Sequence, residues 1–185
     1  FGGTTVMAGV PYGWRTLDRD AARDPRLHDT LNLCGIISPW AVGRYGRLED
    51  AEHQIVKVHA DDAAWCKAHD KSYLPVIFPG FSWANMMSTH GKEAKLNATP
   101  RLGGSFLWSQ AMQRIKLGST MLYVAMFDEM DEGTAIFKCA DEVPASTHGF
   151  VTNEGLPSDH YLWLTGEIAR VLRGEKPVSA DLPKR

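Results

Sequence analysis

Residues 120–134 read TMLYVAMFDEMDEGT, an apolar run from Thr120 to Phe127 that feeds directly into a cluster of carboxylates. A run without polar–apolar alternation marks a strand buried on both faces, as parallel strands are. Three earlier stretches share this character: residues 4–12 (TTVMAGVPY), stopped by Pro11 and Gly13, residues 33–40 (LCGIISPW) and residues 73–81 (YLPVIFPGF). Helical patterns lie among them. In residues 49–67, Ala51, Ile55, Val58, Ala63 and Trp65 approximate one apolar face. Residues 106–116 run to a stop at Gly118, and residues 158–172 open on Ser158 as a cap and stop at Gly174. Strands alternating with helices predict an α/β fold with a parallel sheet. Four such units in 185 residues fall short of the ~250 residues typical of a full barrel. The expectation is therefore one domain over residues 1–185, the carboxyl-terminal part of a (β/α)8 TIM barrel whose amino-terminal half is absent. The opening Phe1-Gly2-Gly3, without initiator methionine or leader pattern, fits either a processed end or a piece of a longer chain. An open four- or five-stranded sheet is the alternative, but it leaves the placement of the polar residues unexplained.

Composition narrows the function. Twenty basic against 22 acidic residues give a net charge of -2, without the basic footprint of a nucleic-acid binder. No apolar stretch approaches the ~20 residues of a membrane span. Cys34, Cys66 and Cys139 are odd in number and far apart, so they are expected as buried free thiols and not as a disulfide framework.

Each predicted strand ends in an aromatic and polar cluster. The first gives Tyr12, Trp14, Arg15 and Asp18, and the second Ser38, Trp40, Arg44 and Tyr45. The third gives Phe81, Ser82, Trp83 and Asn85, with Arg101 in the loop beyond; the fourth gives Asp128, Glu129, Asp131 and Glu132. In a parallel barrel all carboxyl ends open on one face, so the clusters are expected to line one cleft. Aromatic planes beside carboxylates and arginines suit a sugar, whose C–H face stacks while its hydroxyls take hydrogen bonds. Any single tryptophan is better explained as core packing, but all four clusters together are not.

The acidic knot is the sharpest feature. Crowded carboxylates repel, which raises the pKa of at least one and lets an acid and a base coexist near neutral pH. Glycoside cleavage needs that pairing. In a straight strand Glu129 and Glu132 point to opposite faces, whereas a turn after Phe127, with Gly133 in it, brings both to the cleft. Two other readings remain open, a solvated surface turn and a divalent-cation site. The histidines add little. His53 and His59 are six apart, unlike a metal-binding i, i+4 pair, and His28, His69, His90, His148 and His160 are expected at the surface or in loops. Ser38 lacks a G-x-S-x-G elbow, and Gly103-Gly104 lacks the lysine of a phosphate loop. No cofactor and no metal are called for.

Five stretches together resemble the glycoside hydrolase family 71/99-like barrels, in particular bacterial members of the xylosidase/arabinosidase type. They are residues 9–16 (GVPYGWRT), 37–45 (ISPWAVGRY), 74–85 (LPVIFPGFSWAN), 100–104 (PRLGG) and 125–135 (AMFDEMDEGTA), and the resemblance extends to about Leu172. It implies a glycosidase acting on polysaccharide or glycan, with retention of configuration. By that likeness Glu129 would be the base acting on the sugar's own 2-hydroxyl, through an anhydro-sugar intermediate, and Glu132 the acid/base on the leaving group. Trp40, Tyr45, Trp83, Asn85 and Arg101 would be subsite residues, joined by Tyr12, Trp14, Arg44 and Asp128 from the strand-end clusters. Where family 99 enzymes carry Asn-Glu-Trp, this chain has Asp128-Glu129-Met130 followed by Asp131, which changes the local field. Family 71 α-1,3-glucanases are related in architecture, so an α-glucan is also implied as a substrate class. The same likeness implies an extracellular or periplasmic protein whose partner is a carbohydrate. A glycosyltransferase-like member, a silent carbohydrate-binding barrel and a cation-stabilised structural barrel are the alternatives.

Overall fold

The computed structural model describes residues 3–140, 142, 145 and 149–185, so His148 lies outside the described residues. Strand β1 (Met7–Val10) is followed by helix α1 (Arg26–Leu31), strand β2 (Ile36–Pro39) and helix α2 (Leu48–Gln54). A π-helical turn (Ile55–His59) carries α2 without a break into α3 (Ala60–Ala68). Strands β3 (Ser72–Tyr73) and β4 (Val76–Ile77), helices α4 (Ala84–Thr89) and α5 (Ser105–Lys116), strand β5 (Tyr123–Val124) and helix α6 (His160–Leu172) complete the order.

Among the described residues the ladders between named strands are parallel, as the continuous apolar runs predict, and the isolated bridge Phe81↔Thr99 is antiparallel. β1 pairs with β2 from Met7↔Ile36 to Val10↔Pro39, β2 with β3 at Ile36↔Ser72, and β4 with β5 at Val76↔Tyr123. The third apolar run divides in two at Leu74-Pro75. Leu74 N–H still donates to Ile37 O at 2.9 Å, but Pro75 has no N–H to give, and its carbonyl accepts from Tyr123 N–H at 3.0 Å. One run thus passes from its earlier neighbour to its later one, as a strand within a closing barrel must. The result is a mixed α/β fold whose parallel strands follow chain order, the pattern of a partial barrel.

The side chains of β4 and of Phe78 just beyond it alternate between two cores. Val76 and Phe78 pack with Tyr45, Ala51, Ile55 and Phe106, whereas Ile77 packs with Leu107, Ala111, Tyr161, Leu164 and Ile168 of α5 and α6. A third cluster joins Val10, Trp14, Leu31, Ile37 and Cys66.

Helix α5 reads as predicted within a residue, and its inward face carries one polar side chain with a structural task. Gln110 is fully buried. Its Nε2 donates to Phe78 O at 2.8 Å and to Phe106 O at 2.9 Å, while its Oε1 accepts from Phe78 N–H at 3.3 Å and Tyr45 Oη at 3.0 Å. Phe78 follows β4, where the ladder has ended, so the glutamine amide supplies the partners that a neighbouring strand would have given.

Other expectations change. Asp159, not Ser158, precedes the first turn of α6, and it makes no side-chain cap; its carboxylate accepts from Arg185 Nη1 at 2.5 Å and Nη2 at 2.8 Å instead. Helices α1 and α4 are too short, at six residues each, to show an apolar period in sequence. The three cysteines are free, but only Cys66 is buried; Cys34 and Cys139 are half-buried. Among the described residues no helix is long and apolar enough to cross a membrane.

Replacing Gln110 with leucine keeps the volume and strands both polar groups of Phe78. The expected loss is about 2–4 kcal/mol in urea unfolding, with the slope unchanged.

Candidate active site

The carboxyl end of β5 leads into the acidic loop, and backbone hydrogen bonds give that loop its shape. Ala125 N–H makes the last rung, to Ile77 O at 2.9 Å. Beyond it the chain folds back: Ile136 and Phe137 N–H both donate to Phe127 O, at 3.1 and 2.9 Å, and Met126 N–H donates to Thr134 O at 3.2 Å. Glu129 O collects Thr134 N–H at 3.1 Å, Ala135 N–H at 2.8 Å and Thr134 Oγ1 at 3.4 Å. Residues 130–133 form the expected turn, closed by Gly133 N–H to Met130 O at 3.1 Å. Gly133 sits at φ +66°, and a Cβ there would lie 2.7 Å from Val151 Cγ2, so glycine is required twice over.

Three residues hold the loop from outside. Ser82 N–H donates to Glu132 O at 2.7 Å. Asn85 Nδ2 donates to Gly149 O at 2.8 Å and to Asp131 O at 3.4 Å. Arg101 Nη2 donates to Gly133 O at 2.9 Å and Ala135 O at 2.8 Å, while its guanidinium lies 4.4 Å from the centre of the Tyr161 ring. Arg101 is 4% exposed. Asn85 Nδ2 and Arg101 Nη2, on residues expected to bind substrate, are thus engaged by the loop backbone, whereas Arg101 Nε and Nη1 have no partner among the described residues.

The carboxylates divide by exposure. Glu129 and Glu132 are half-buried, while Asp128 and Asp131 face solvent. Burial raises the Glu132 carboxyl above its ordinary pKa, and the charges of Glu129 and Asp131 push it the same way. The loop thus keeps one carboxyl protonated to a higher pH than a free glutamate, beside a second carboxyl within its field.

The aromatic residues separate into two kinds. Trp83 is 44% exposed and lies between Ser82 and Asn85, the two residues bonded to the loop, so it stands at the loop's flank. Trp40, 38% exposed, and Arg44 line a cleft of about 520 Å³ with Met7, Gly9, Val76 and Tyr123 at the sheet face. Sequence reading passes over Asp20 in this cleft. It pairs with Arg44 at 2.5 Å and accepts from the Tyr12 and Gly13 amides at 3.1 and 2.9 Å. Burial opposes ionisation of Asp20, but the Gly13 and Tyr12 amides and Arg44 outweigh it and hold the carboxyl below its ordinary pKa. Only the geometry of the 12–20 loop reveals the role, since a lone aspartate among many carries no spacing signal.

Trp14, Tyr45 and Tyr12 depart from the expected sugar contacts. Trp14 is 0% exposed and meets Trp65 edge-on at 4.8 Å between ring centres. Tyr45 is buried with its hydroxyl on Gln110 Oε1, and Tyr12 is buried with its hydroxyl on Gln54 Oε1 at 3.3 Å and Arg19 over its ring. A ring with no open face cannot stack on a sugar, and further chain would only cover it more. Packing is their role. His160, expected at the surface or in a loop, is buried, with Nε2 3.1 Å from Gly103 O; His59, on the predicted helix, is buried too, with Nδ1 3.0 Å from Arg114 Nη1.

If the loop is held from outside, Arg101→Met releases it. Amide exchange at Thr134 and Ala135 is expected to quicken by about ten- to hundredfold, with the helices unaffected, as hydrogen exchange read by mass spectrometry would report.

No protein-family model and no curated protein matches the chain. Solved structures do. Two structures of the GH99 endo-alpha-mannosidase from Bacteroides thetaiotaomicron, one in complex with bis-tris-propane, superpose with TM-scores of 0.61 and 0.60 at 17% sequence identity. Each match covers 82% of this chain but only 45% and 42% of the mannosidase chains, so this chain spans less than half their length. The likeness is one of fold: the chain has the architecture of part of a GH99-like TIM barrel.

Proposed function

We propose that the chain is the carboxyl-terminal part of a glycoside hydrolase barrel that cleaves an O-glycosidic bond in a glycan with retention of configuration. One observation carries the reading: Glu132, its carboxyl raised by burial and by Glu129 and Asp131, stands in a rigidly held loop at the carboxyl end of a parallel strand. Catalytic groups of barrel enzymes gather at that end. Glu132 is the general acid, protonating the departing glycosidic oxygen and later deprotonating the incoming water. Glu129 is the base that draws the proton from the sugar's 2-hydroxyl as that oxygen attacks the anomeric carbon. Trp83 offers a ring face for stacking, and Trp40 and Arg44 extend the cleft toward the remainder of the barrel in a longer chain. The fold likeness to GH99 enzymes and the resemblance of residues 125–135 both support this assignment. Secretion from the cytoplasm belongs to the same reading.

Turnover of α- and β-linked glycans by the full barrel, with Glu129→Gln and Glu132→Gln beside the wild type, is the test. Each substitution is expected to lower kcat by about 10²–10⁴-fold while leaving glycan binding in place. Binding without turnover in the wild type would discard the chemistry and keep the site.

The pH profile has a fixed sign. A general acid works only when protonated, so activity falls as pH rises through the Glu132 pKa, and raising that pKa moves the alkaline limb upward. Asp131→Asn removes one of the charges that raises it. The alkaline limb of kcat/KM is therefore expected to move to lower pH in that variant.

A further inference from the structure

At the amino ends of the strands, opposite the acidic loop, lies a second polar constellation. Arg114 on α5 is 4% exposed. Its Nη1 lies 3.0 Å from His59 Nδ1, its Nη2 donates to Tyr45 Oη at 3.3 Å, and its Nε has no partner among the described residues. Both partners are neutral: burial, reinforced by the charge of Arg114, pushes the His59 imidazole down to about 3, and burial raises the Tyr45 hydroxyl. A guanidinium cannot shed its proton, and a buried cation without a counter-charge is costly. The buried carboxylate on the neighbouring helix, Asp62, is already engaged by Arg15 Nε at 2.7 Å and by Tyr73 Oη at 3.4 Å.

The hydrogen bonds leaving Arg114 have one allowed direction. Arginine only donates, so His59 Nδ1 accepts and the ring proton resides on Nε2. Ser119 Oγ, 3.3 Å away, is the acceptor of that proton. The Ser119 hydroxyl hydrogen is thereby left to point elsewhere, as a donor polarised by the cation behind it. The same geometry denies Ser119 a nucleophile's role, because His59 has no lone pair left to receive its proton.

His59 and Ser119 line a groove of about 610 Å³ together with Lys67, Lys71, Thr120 and a single acid, Asp70. Lys71 gives one N–H to Asn32 O at 2.7 Å and retains its other donors. The groove lies between elements that are neighbours here, the end of α3, the start of β3 and the segment entering β5, so it does not await the rest of a barrel. We propose that this groove binds a tetrahedral oxyanion of the inorganic phosphate or sulfate type, held by the Ser119 hydroxyl between Lys67 and Lys71 and balancing the buried charge of Arg114.

Thermal unfolding with inorganic phosphate, titrated at constant ionic strength against sodium chloride, tests the site. The expected result is a saturable rise in Tm of roughly 3–6 °C at tenfold excess over Kd, kept in Ser119→Thr and lost in Ser119→Ala. No rise in the wild type, or an equal rise in Ser119→Ala, overturns the proposal. Calorimetric titration at 25 °C separates the same outcomes without heating: a saturating heat with the wild type that Ser119→Ala abolishes supports the site, and its absence from the wild type refutes it. Neither readout involves a glycan, so the hydrolase reading stands or falls separately.

Discussion

Four hydrogen bonds converge on the side chain of Gln110, and the arrangement around β4 and β5 follows from them. A strand that leaves its sheet must find partners for its next N–H and C=O or lose the stability that the sheet supplied. Gln110 provides both from a helix, so the chain departs from β4 at a defined angle. Phe81 then bridges to Thr99, and Ser82 reaches the carbonyl of Glu132. A helix residue on one side of the sheet is thus connected, through a few rigid links, to the loop that carries the acids.

That loop presents an electrostatic problem and its solution together. Several carboxylates in one turn repel, and an unsupported turn would relax by swinging them apart. Here the carbonyls of Asp131, Glu132, Gly133 and Ala135 are gripped by Asn85, Ser82 and Arg101. Burial first, and then the charges of Glu129 and Asp131, raise the pKa of the half-buried Glu132 within this held turn.

The parallel strands, the helices of residues 49–67 and 106–116 and the turn at Gly133 were all legible in the sequence, because each rests on a period or on a residue with one conformational reason to be there. The division of residues 73–81 was legible only in part: Pro75 forbids a donor, but which neighbour each half takes is a tertiary matter. The site was readable at its acids and less so around them. Trp14, Tyr45 and Trp83 look alike in sequence, each an aromatic residue after a strand, and only burial separates the packing residues from the exposed one. Arg101 and Asn85 carry groups suited to a substrate, and nothing in their spacing reveals that backbone carbonyls take the Asn85 amide and one nitrogen of Arg101.

The external grip on the acidic loop falls on backbone oxygens, which every residue type possesses. The frame is consequently indifferent to most of the side chains it displays. The side chains of Asp128 and Asp131 face solvent and can be exchanged with the backbone bonds of the turn in place, whereas Gly133 cannot. Selection acting on such a loop can revise what it recognises one side chain at a time, because the scaffold that aims the acids is encoded at Ser82, Asn85 and Arg101, elsewhere in the chain.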